Sequence, residues 1–564
     1  MTSTITPILA AATIADKLPG LWPEIVLFIA SCVVMVIGLS RRARLRDLCA
    51  PICLLALAVA FFIAYFSTPD SSLPLVSLPR FGKIITCIVG AMILLLLSGT
   101  ADRDYEAAVA RGSERYDPLR ANRAEFYAFF LFSLTGLMLT AGADDLIWLF
   151  LALELTSLPT YIMVTISTRH NRSMEAGVKY FFLGALGAAI FLYGFALIYG
   201  GTGSTDLGDI QAALAAQQAA GGINGIALAG LLLSLVGLGF KIAAVPMHFY
   251  TPDVYQGASA TVAAMLAFVP KTAGFLALLL LLSTVGWFSQ VSGSDVGMLP
   301  SPIHELLWVM AALTMTVGNV LAVIQSSVKR VLAYSSIAHS GYMLVGLLSG
   351  PGRPGADFTE NGLAAVLFYL LAYGVMNLGA FAVLASLERS GPDGRPDEID
   401  SFDDLRGLCR TRPAIGYTMV LSALGLLGLP PTLGFFAKLP LLTTATAAGH
   451  TFLVVILVIN SAIAAFYYLR LAGTPWLETT DSSPGVQPAR VTPYGSRIVA
   501  GILSAAGVVV LSLFPGVGAK LTHWAERSAE FRRVIAPAAQ ADPSAIRAEA
   551  FQPAASPLDA SPPR

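Results

Sequence analysis

Charge is scarce in this chain. Asp, Glu, Lys and Arg together make up 12% of its 564 residues, about half of what an ordinary soluble domain carries. Its 35 basic residues balance 35 acidic ones, so no net field points to nucleic acid or to an acidic partner. Cysteine is rarer still. The five (Cys32, Cys49, Cys53, Cys87, Cys409) form no CxxC and have no histidine at metal-ligand spacing, which excludes a disulfide framework and a zinc or iron–sulfur cradle; they read as membrane-packing residues. There is no P-loop, no GxGxxG after a strand and no paired-histidine haem pattern, so no nucleotide or haem is expected in this chain. No basic stretch precedes the short apolar run Ile5–Ile14, and a cleaved signal peptide is not expected.

Apolar residues are what the chain has. They make up 55% of it, with a mean hydropathy of +0.71. A soluble fold needs a polar exterior that this composition does not supply. Runs long enough to cross ~30 Å of hydrocarbon recur near 21–40, 50–67, 82–99, 125–141, 144–167, 176–200, 223–247, 258–283, 303–325, 331–350, 362–387, 413–444, 450–473 and 496–515. Continuous runs such as Ile84–Leu97, rather than alternation, argue for helices over barrel strands. The expectation is an all-α polytopic membrane protein of about fourteen transmembrane helices.

Basic residues test that count. Loops after odd-numbered spans hold 22 Lys and Arg, loops after even-numbered spans only Arg80, Lys83 and Arg353. By the positive-inside rule the odd loops face the cytoplasm and both termini face outward, as in a bacterial-type inner membrane. Thr205–Ala220 reads as a short outer helix, Asp253 as a turn cap, and Ser401–Asp404 as a capping box. Residues 476–494 read as a loop.

Three lysines and one glutamate lie where the membrane disfavours charge. Glu154 is in span five, Lys241 in span seven, Lys271 in span eight and Lys438 in span twelve. Each costs at least ~2.5–3.5 kcal/mol at mid-bilayer on insertion scales. Snorkelling suits Lys179 and Arg470 near span ends, but not Lys271, which is central to its span. Pro246, Pro270 and Pro430–Pro431 accompany the lysines and strip helical donors from the carbonyls of Ile242, Leu266, Leu426 and Leu427. Broken helices beside buried ionisable groups build hydrated mid-membrane sites.

The chemistry these residues suit is proton handling. Burial favours the neutral lysine, and a nearby carboxylate favours the ammonium. At ~8 Å and an effective dielectric of ~20, the coupling is roughly 2 kcal/mol, comparable with ~2.3 kcal/mol per charge moved against ~100 mV. His339, in AYSSIAHSGYML, is a candidate relay, with hydroxyls of Tyr334, Ser335, Ser336 and Ser340 beside it. His248 reads as a satisfied polar residue. A static scaffold of fixed ion pairs is the competing view, but one carboxylate cannot neutralise three lysines.

The segments FKIAAVPMHFYTPDVYQGASATVAAMLAFVPKTAGF and VKRVLAYSSIAHSGYMLVGL resemble the antiporter-like subunits of respiratory NADH:quinone oxidoreductase (complex I). LIWLFLALELTSLPTYIM followed by AGVKYFFLGALGAAIFLYG is most similar to the N-type subunit. The resemblance covers roughly 20–515 and implies two inverted five-helix repeats with discontinuous helices in spans seven and twelve. With it goes a division into 1–123 (helices 1–3 and a charged loop), 124–283 (first repeat), 303–473 (second repeat) and 474–515 (loop and helix 14), while 516–564 reads from its composition, Ala/Pro-rich over 535–564, as a polar, disordered tail.

By motif, Glu154, Lys241, Lys271 and Lys438 match the proton-translocating residues, with Lys179 and His339 secondary. Lys438 discriminates, since the M-type relative carries glutamate there, and the missing lateral helix argues against the L type. The implied function is a proton-translocating membrane-arm subunit. NADH, FMN, iron–sulfur clusters and quinone belong to partner subunits, and no cofactor to this chain. The alternatives are a cation/proton antiporter subunit of Mrp type or a hydrogenase-linked membrane complex. Departures from the pattern are the charged 101–124 loop, Met247, Tyr250, Ser259 and the 516–564 tail.

Overall fold

The computed structural model describes residues 18–67, 77–97, 111–117, 123–168, 171–287, 297–352, 357–390, 396–477, 489–513 and 515–529, with a few isolated positions between them. Half of the charged 101–124 loop and all of the tail beyond 529 lie outside the described residues.

Helices dominate. Those longer than four residues are, in chain order, α1 (Trp22–Gly38), α2 (Cys49–Phe66), α3 (Leu78–Leu97), α4 (Arg123–Ala141), α5 (Leu146–Thr165), α6 (Asn171–Thr202), α7 (Leu207–Ala219), α8 (Gly225–Lys241), α9 (Thr251–Gly257) and α10 (Ala260–Val285). There follow α11 (Ser301–Val323), α12 (Val328–Ser349), α13 (Gly362–Ala385), α14 (Pro413–Leu427), α15 (Leu433–Ala447), α16 (Thr451–Leu477), α17 (Gly495–Leu513) and α18 (Pro515–Ser528). Twelve of the described helices are long and apolar enough to cross a membrane, and α8, α14 and α15 are shorter apolar ones.

The helices sort by burial. Every residue of α10 and α13 is buried, and almost all of α12, whereas α1, α2, α16 and α17 bury about a third. A helix apolar all round and buried all round belongs at the centre of a bundle. Two of these central helices carry Lys271 (α10) and Ser336 and His339 (α12), so the structure keeps these groups from lipid by wrapping them. Glycines let the wrapping helices close up. A Cβ on Gly230 of α8 would sit 2.7 Å from the Gly194 carbonyl of α6, the small-residue approach that helix packing in lipid relies on.

Two spans are broken. α8 stops at Lys241, and Ile242–Tyr250 runs irregularly before the short α9. Span twelve divides at Gly428–Thr432, where Gly428 adopts φ +81° at the end of α14. Pro430 and Pro431 thus lie between two helices rather than inside one. A proline that cannot donate is cheaper at a break than in a turn that needs its N–H.

Three sequence readings are corrected. The tail does not begin as disordered chain. Residues 515–528 form α18, which packs on α13 and α3, buries Ala525 and Ser528 and sets Trp524 against Phe81 at 4.5 Å. Lys83 is not a loop residue, because α3 begins at Leu78 and buries it against Glu24 at 2.9 Å. The fold is not purely helical either. On the basic-loop face β1 (Leu387–Ser390) pairs antiparallel with β2 (Pro396–Glu398) and with β3 (Arg490–Val491), and a two-residue ladder joins Ser289–Gln290 to Gly297–Met298.

The outer helix expected at Thr205–Ala220 is α7, capped by Asp206, which accepts from Gly208 N and Asp209 N. Only half of the capping box forms: Asp404 accepts from Ser401 N at 3.2 Å, but Ser401 Oγ accepts from Asp403 N at 3.1 Å and not from Asp404 N. It opens a single 3₁₀ turn, Asp403–Leu405.

Candidate functional site: a buried line of lysines, tyrosines and one histidine

α5 is held at its N-terminus by Asp145, whose side chain accepts from Ile147 N at 2.7 Å and Trp148 N at 3.2 Å. Two turns on, Glu154 and Ser157 share a face, as residues three apart do on a helix. Both meet the end of α8. Lys241 Nζ lies 2.9 Å from Glu154 Oε1 and donates to Ser157 Oγ at 2.7 Å. The lysine is nearly sealed, its side chain 2% exposed against 18% for the glutamate.

Beyond Lys241 lies a cavity with about 10 Å³ of room, enough for about one water. Lys241 and Lys271 both line it, with Tyr180, Tyr250, Thr251 and Tyr255. Lys271, on α10, donates to the carbonyl of Ser336 and to its Oγ at 2.6 Å. Its ammonium also lies 5.1 Å from the centre of the Tyr373 ring, within cation–π reach.

Tyr373 leads on to His339, with ring centres 5.0 Å apart. His339 is held from both sides: Nδ1 is 2.6 Å from Tyr369 OH and Nε2 is 2.8 Å from Tyr468 OH. Tyr468 in turn hydrogen-bonds Ser335 Oγ. The imidazole meets the Tyr342 ring edge-on at 5.6 Å, and Lys438 Nζ lies 4.9 Å from that ring. Asn319 fixes Tyr342 by donating to its hydroxyl at 2.9 Å, while Tyr467 OH donates to Asn319 Oδ1 at 2.9 Å.

Lys438 has carbonyls for partners. Its Nζ donates to Leu427 O at 2.7 Å and to Leu426 O at 3.4 Å, both at the C-terminal end of α14. A helix C-terminus carries partial negative charge and favours a cation. Of the four carbonyls that proline was expected to strand, these are two, and Ile242 O is a third, satisfied by Ser340 Oγ at 2.5 Å.

Lys179 lies away from this line. It pairs with Glu175 at 2.8 Å and with Asp253 at 3.0 Å at the basic-loop face. Asp253 is therefore not a turn cap, since it also binds Arg330 at 2.8 Å. Nearby, Glu398 of β2 binds Lys329 at 2.8 Å and accepts from Ala260 N at 2.7 Å, at the head of α10. Asp400 accepts from Ser327 Oγ and from Lys329 N at the head of α12. Burial would raise Glu398, yet Lys329 and Arg497 keep it below its ordinary 4.5.

Of the residues picked from sequence, Glu154, Lys241, Lys271, Lys438 and His339 come together along one path, and Lys179 does not. Sequence reasoning missed Tyr369, Tyr373 and Tyr468. The first two are four apart on α13, a spacing that shares a helix face. Tyr334 is only half-buried and packs with apolar neighbours. Among the described residues, no three His, Cys, Asp or Glu side chains are placed to hold a metal ion.

A polytopic helical bundle with two broken spans and lysines aligned through its middle defines an antiporter-type membrane protein. The profile described as "NADH:quinone oxidoreductase/Mrp antiporter, TM" matches residues 143–464. NADH-quinone oxidoreductase subunit N of Trichlorobacter lovleyi is 37% identical, over 80% of this chain and 85% of its own. A chain of respiratory complex I from Thermus thermophilus superposes with a TM-score of 0.65 at 31% identity, covering 88% of this chain and 98% of that one. A chain of the Mrp complex from Dietzia sp. shares the fold, with a TM-score of 0.67 at 20% identity over 92% and 97%. The chain belongs to the NADH:quinone oxidoreductase/Mrp antiporter family, in its subunit N branch.

Proposed function

We propose that this chain is a proton-translocating membrane-arm subunit of NADH:quinone oxidoreductase, and that Glu154, Lys241, Lys271, His339 and Lys438 carry the protons. The observation that carries the reading is the run of polar contacts from Glu154 to Lys438 through the middle of a mostly apolar bundle. Its neighbours are the other membrane-arm subunits and the lipid bilayer. NADH, FMN, iron–sulfur clusters and quinone are held by partner subunits, and electrons do not pass through this chain.

The steps follow from the geometry. With Glu154 ionised and 2.9 Å away, Lys241 keeps its proton; two opposite charges ~4 Å apart attract by about 4 kcal/mol at an effective dielectric of ~20. When the carboxylate is neutralised or drawn aside, that hold is lost. The Lys241 ammonium then gives its proton to a water in the cavity, and that water gives one to the neutral amine of Lys271. Tyr373, His339 and Tyr342 continue the line to Lys438, whose ammonium rests on the α14 carbonyls. Driving one charge against ~100 mV takes ~2.3 kcal/mol, so one such switch is of sufficient size. Lys179 acts at the entrance.

The fold reading that goes with this counts fourteen crossings: the twelve long helices, α8 with α9, and α14 with α15. α4–α10 and α11–α16 form two inverted repeats of five spans, each broken in its fourth. The basic loops face the cytoplasm and both termini the outer side of an inner membrane. The domain division at 123, 283–303, 473 and 515 follows those repeats.

The experiment is proton pumping by the intact complex carrying Lys241→Ala in inside-out vesicles. Pumping and coupled quinone reduction should collapse while NADH oxidation by an artificial acceptor persists. A wild-type proton-to-electron ratio would overturn the proposal. Isolation in mild detergent with no flavin or iron–sulfur subunits would favour an Mrp-type assembly instead.

A further inference from the structure

α9 is two turns of wall between two spaces. On its outer side a polar recess of about 180 Å³ is lined by Arg172, Glu175, Lys179, Asp253, Gln256 and Gly257. It opens to solvent, with the Lys179 and Asp253 side chains 43% and 42% exposed. On its inner side Thr251, Val254 and Tyr255 line the cavity that holds Lys241 and Lys271. Asp253, Gln256 and Gly257 thus face one space, and Thr251, Val254 and Tyr255 face the other.

The wall is pinned from outside. Asp253 Oδ2 binds Lys179 of α6 at 3.0 Å, and Oδ1 binds Arg330 of α12 at 2.8 Å. Arg330 Nη1 also donates to Gln256 Oε1 at 3.2 Å, and Gln256 Nε2 to Asp400 Oδ2 at 3.4 Å. Exposed pairs of this kind hold weakly. Lys179 has a second carboxylate, Glu175, at 2.8 Å, so Asp253 can release it without leaving it unpaired.

One further feature points the same way. The segment leading into α9 is irregular from Ile242 to Tyr250, and Ala243 adopts φ +56°, a conformation that residues other than Gly, Asn, Asp and His seldom take.

We propose that α9 is the gate between the basic-loop surface and the lysine cavity, and that Asp253 holds it closed through Lys179 and Arg330. Asp253 is a positioning residue, acting on the helix and not on the proton. The inference rests on the transport reading, since it is that reading which gives the cavity a reason to be filled.

The test reads access rather than pumping. Thr251→Cys is introduced into the intact complex in inside-out vesicles without NADH and exposed to a small cationic methanethiosulfonate. Modification is followed by mass spectrometry of the peptide carrying position 251. The residue should react slowly alone, at least tenfold faster with Asp253→Asn added, and from the basic-loop face only. Lys179→Gln in place of Asp253→Asn removes one tie and keeps the Arg330 pair, so it should accelerate the reaction to an intermediate degree even if the first double variant fails to assemble. An unchanged rate in whichever variants assemble, or equal access from the opposite face, overturns the gate. Because the assay needs no turnover, a complex that pumps yet shows no change in access sinks the gate alone. Faster access in a complex whose Lys241→Ala form pumps normally sinks the transport reading alone.

Discussion

The Lys438 ammonium donates to the Leu427 carbonyl at 2.7 Å, so a buried lysine is met by the end of a helix and not by an acid. Transporters use unwound backbone and half-helix ends in the same way, to coordinate cations at mid-membrane. The arrangement leaves Lys438 free to lose its proton without stranding a buried carboxylate. It also fixes the sign of charge the position favours. Lys438→Met should assemble with stability close to wild type but pump poorly. Lys438→Glu places an anion at the negative end of α14 and should cost about 1–2 kcal/mol more than Lys438→Met. Thermal denaturation of the detergent-solubilised complex compares the two, and equal midpoints would contradict the role of the α14 carbonyls.

The α14–α15 break that offers those carbonyls depends on glycine. A Cβ on Gly434 would lie 1.8 Å from the Gly425 carbonyl, with backbone on the other side of the clash. Gly434→Ala should therefore destabilise the chain by at least about 2 kcal/mol and lower the amount of assembled complex. Gly428→Ala, strained by φ +81°, should cost about 1 kcal/mol. Immunoblots of purified membranes read both, and a normal Gly434→Ala level would argue against this local geometry.

The Glu154–Lys241 pair separates a pump from a scaffold. Removing one partner leaves a buried charge uncompensated, at about 3–5 kcal/mol, whereas replacing both is far milder. Glu154→Gln alone should thus lower the melting midpoint of the complex more than Glu154→Gln with Lys241→Gln. The double variant should regain stability and still not pump. Pumping restored along with stability would mean the pair serves only to hold helices together.

Glu398 should give the basic-loop face an acid-sensitive clasp. Its carboxyl is held below the ordinary 4.5, so its stabilising effect is complete above that value. The effect is lost as pH falls through the lower folded-state value. Glu398→Gln should cost about 1–3 kcal/mol at pH 7, and the gap between variant and wild type should narrow below about pH 4.5. Melting midpoints measured from pH 7 down to pH 4 check this, and a gap independent of pH would contradict it.

The helical layout is legible in the sequence because lipid selects long apolar runs. Glu154, Lys241, Lys271 and Lys438 are legible because charge inside such runs is rare. The break after Lys241 was signalled by Pro246, and the one before Lys438 by Pro430–Pro431. Tyr369, Tyr373 and Tyr468 are not legible, since an aromatic residue in an apolar helix reads as packing and only the approach of α12, α13 and α16 brings them to His339. Lys83 hides at a span edge until α3 is seen to begin four residues earlier than hydropathy suggests. Asp253 sits in a polar turn motif, and its partners Lys179 and Arg330 are 74 and 77 residues away. α18 is too polar to stand out, and only contact with Phe81 shows what Trp524 is for.

The central claim is that protons cross through the middle of the line, and Lys271 is that middle. The direct measurement is the number of protons translocated per two electrons by the intact complex carrying Lys271→Met, with assembly verified by NADH oxidation through an artificial acceptor. The account predicts a reduced proton yield and slower coupled quinone reduction in a fully assembled complex. An unchanged yield at an unchanged rate would contradict it.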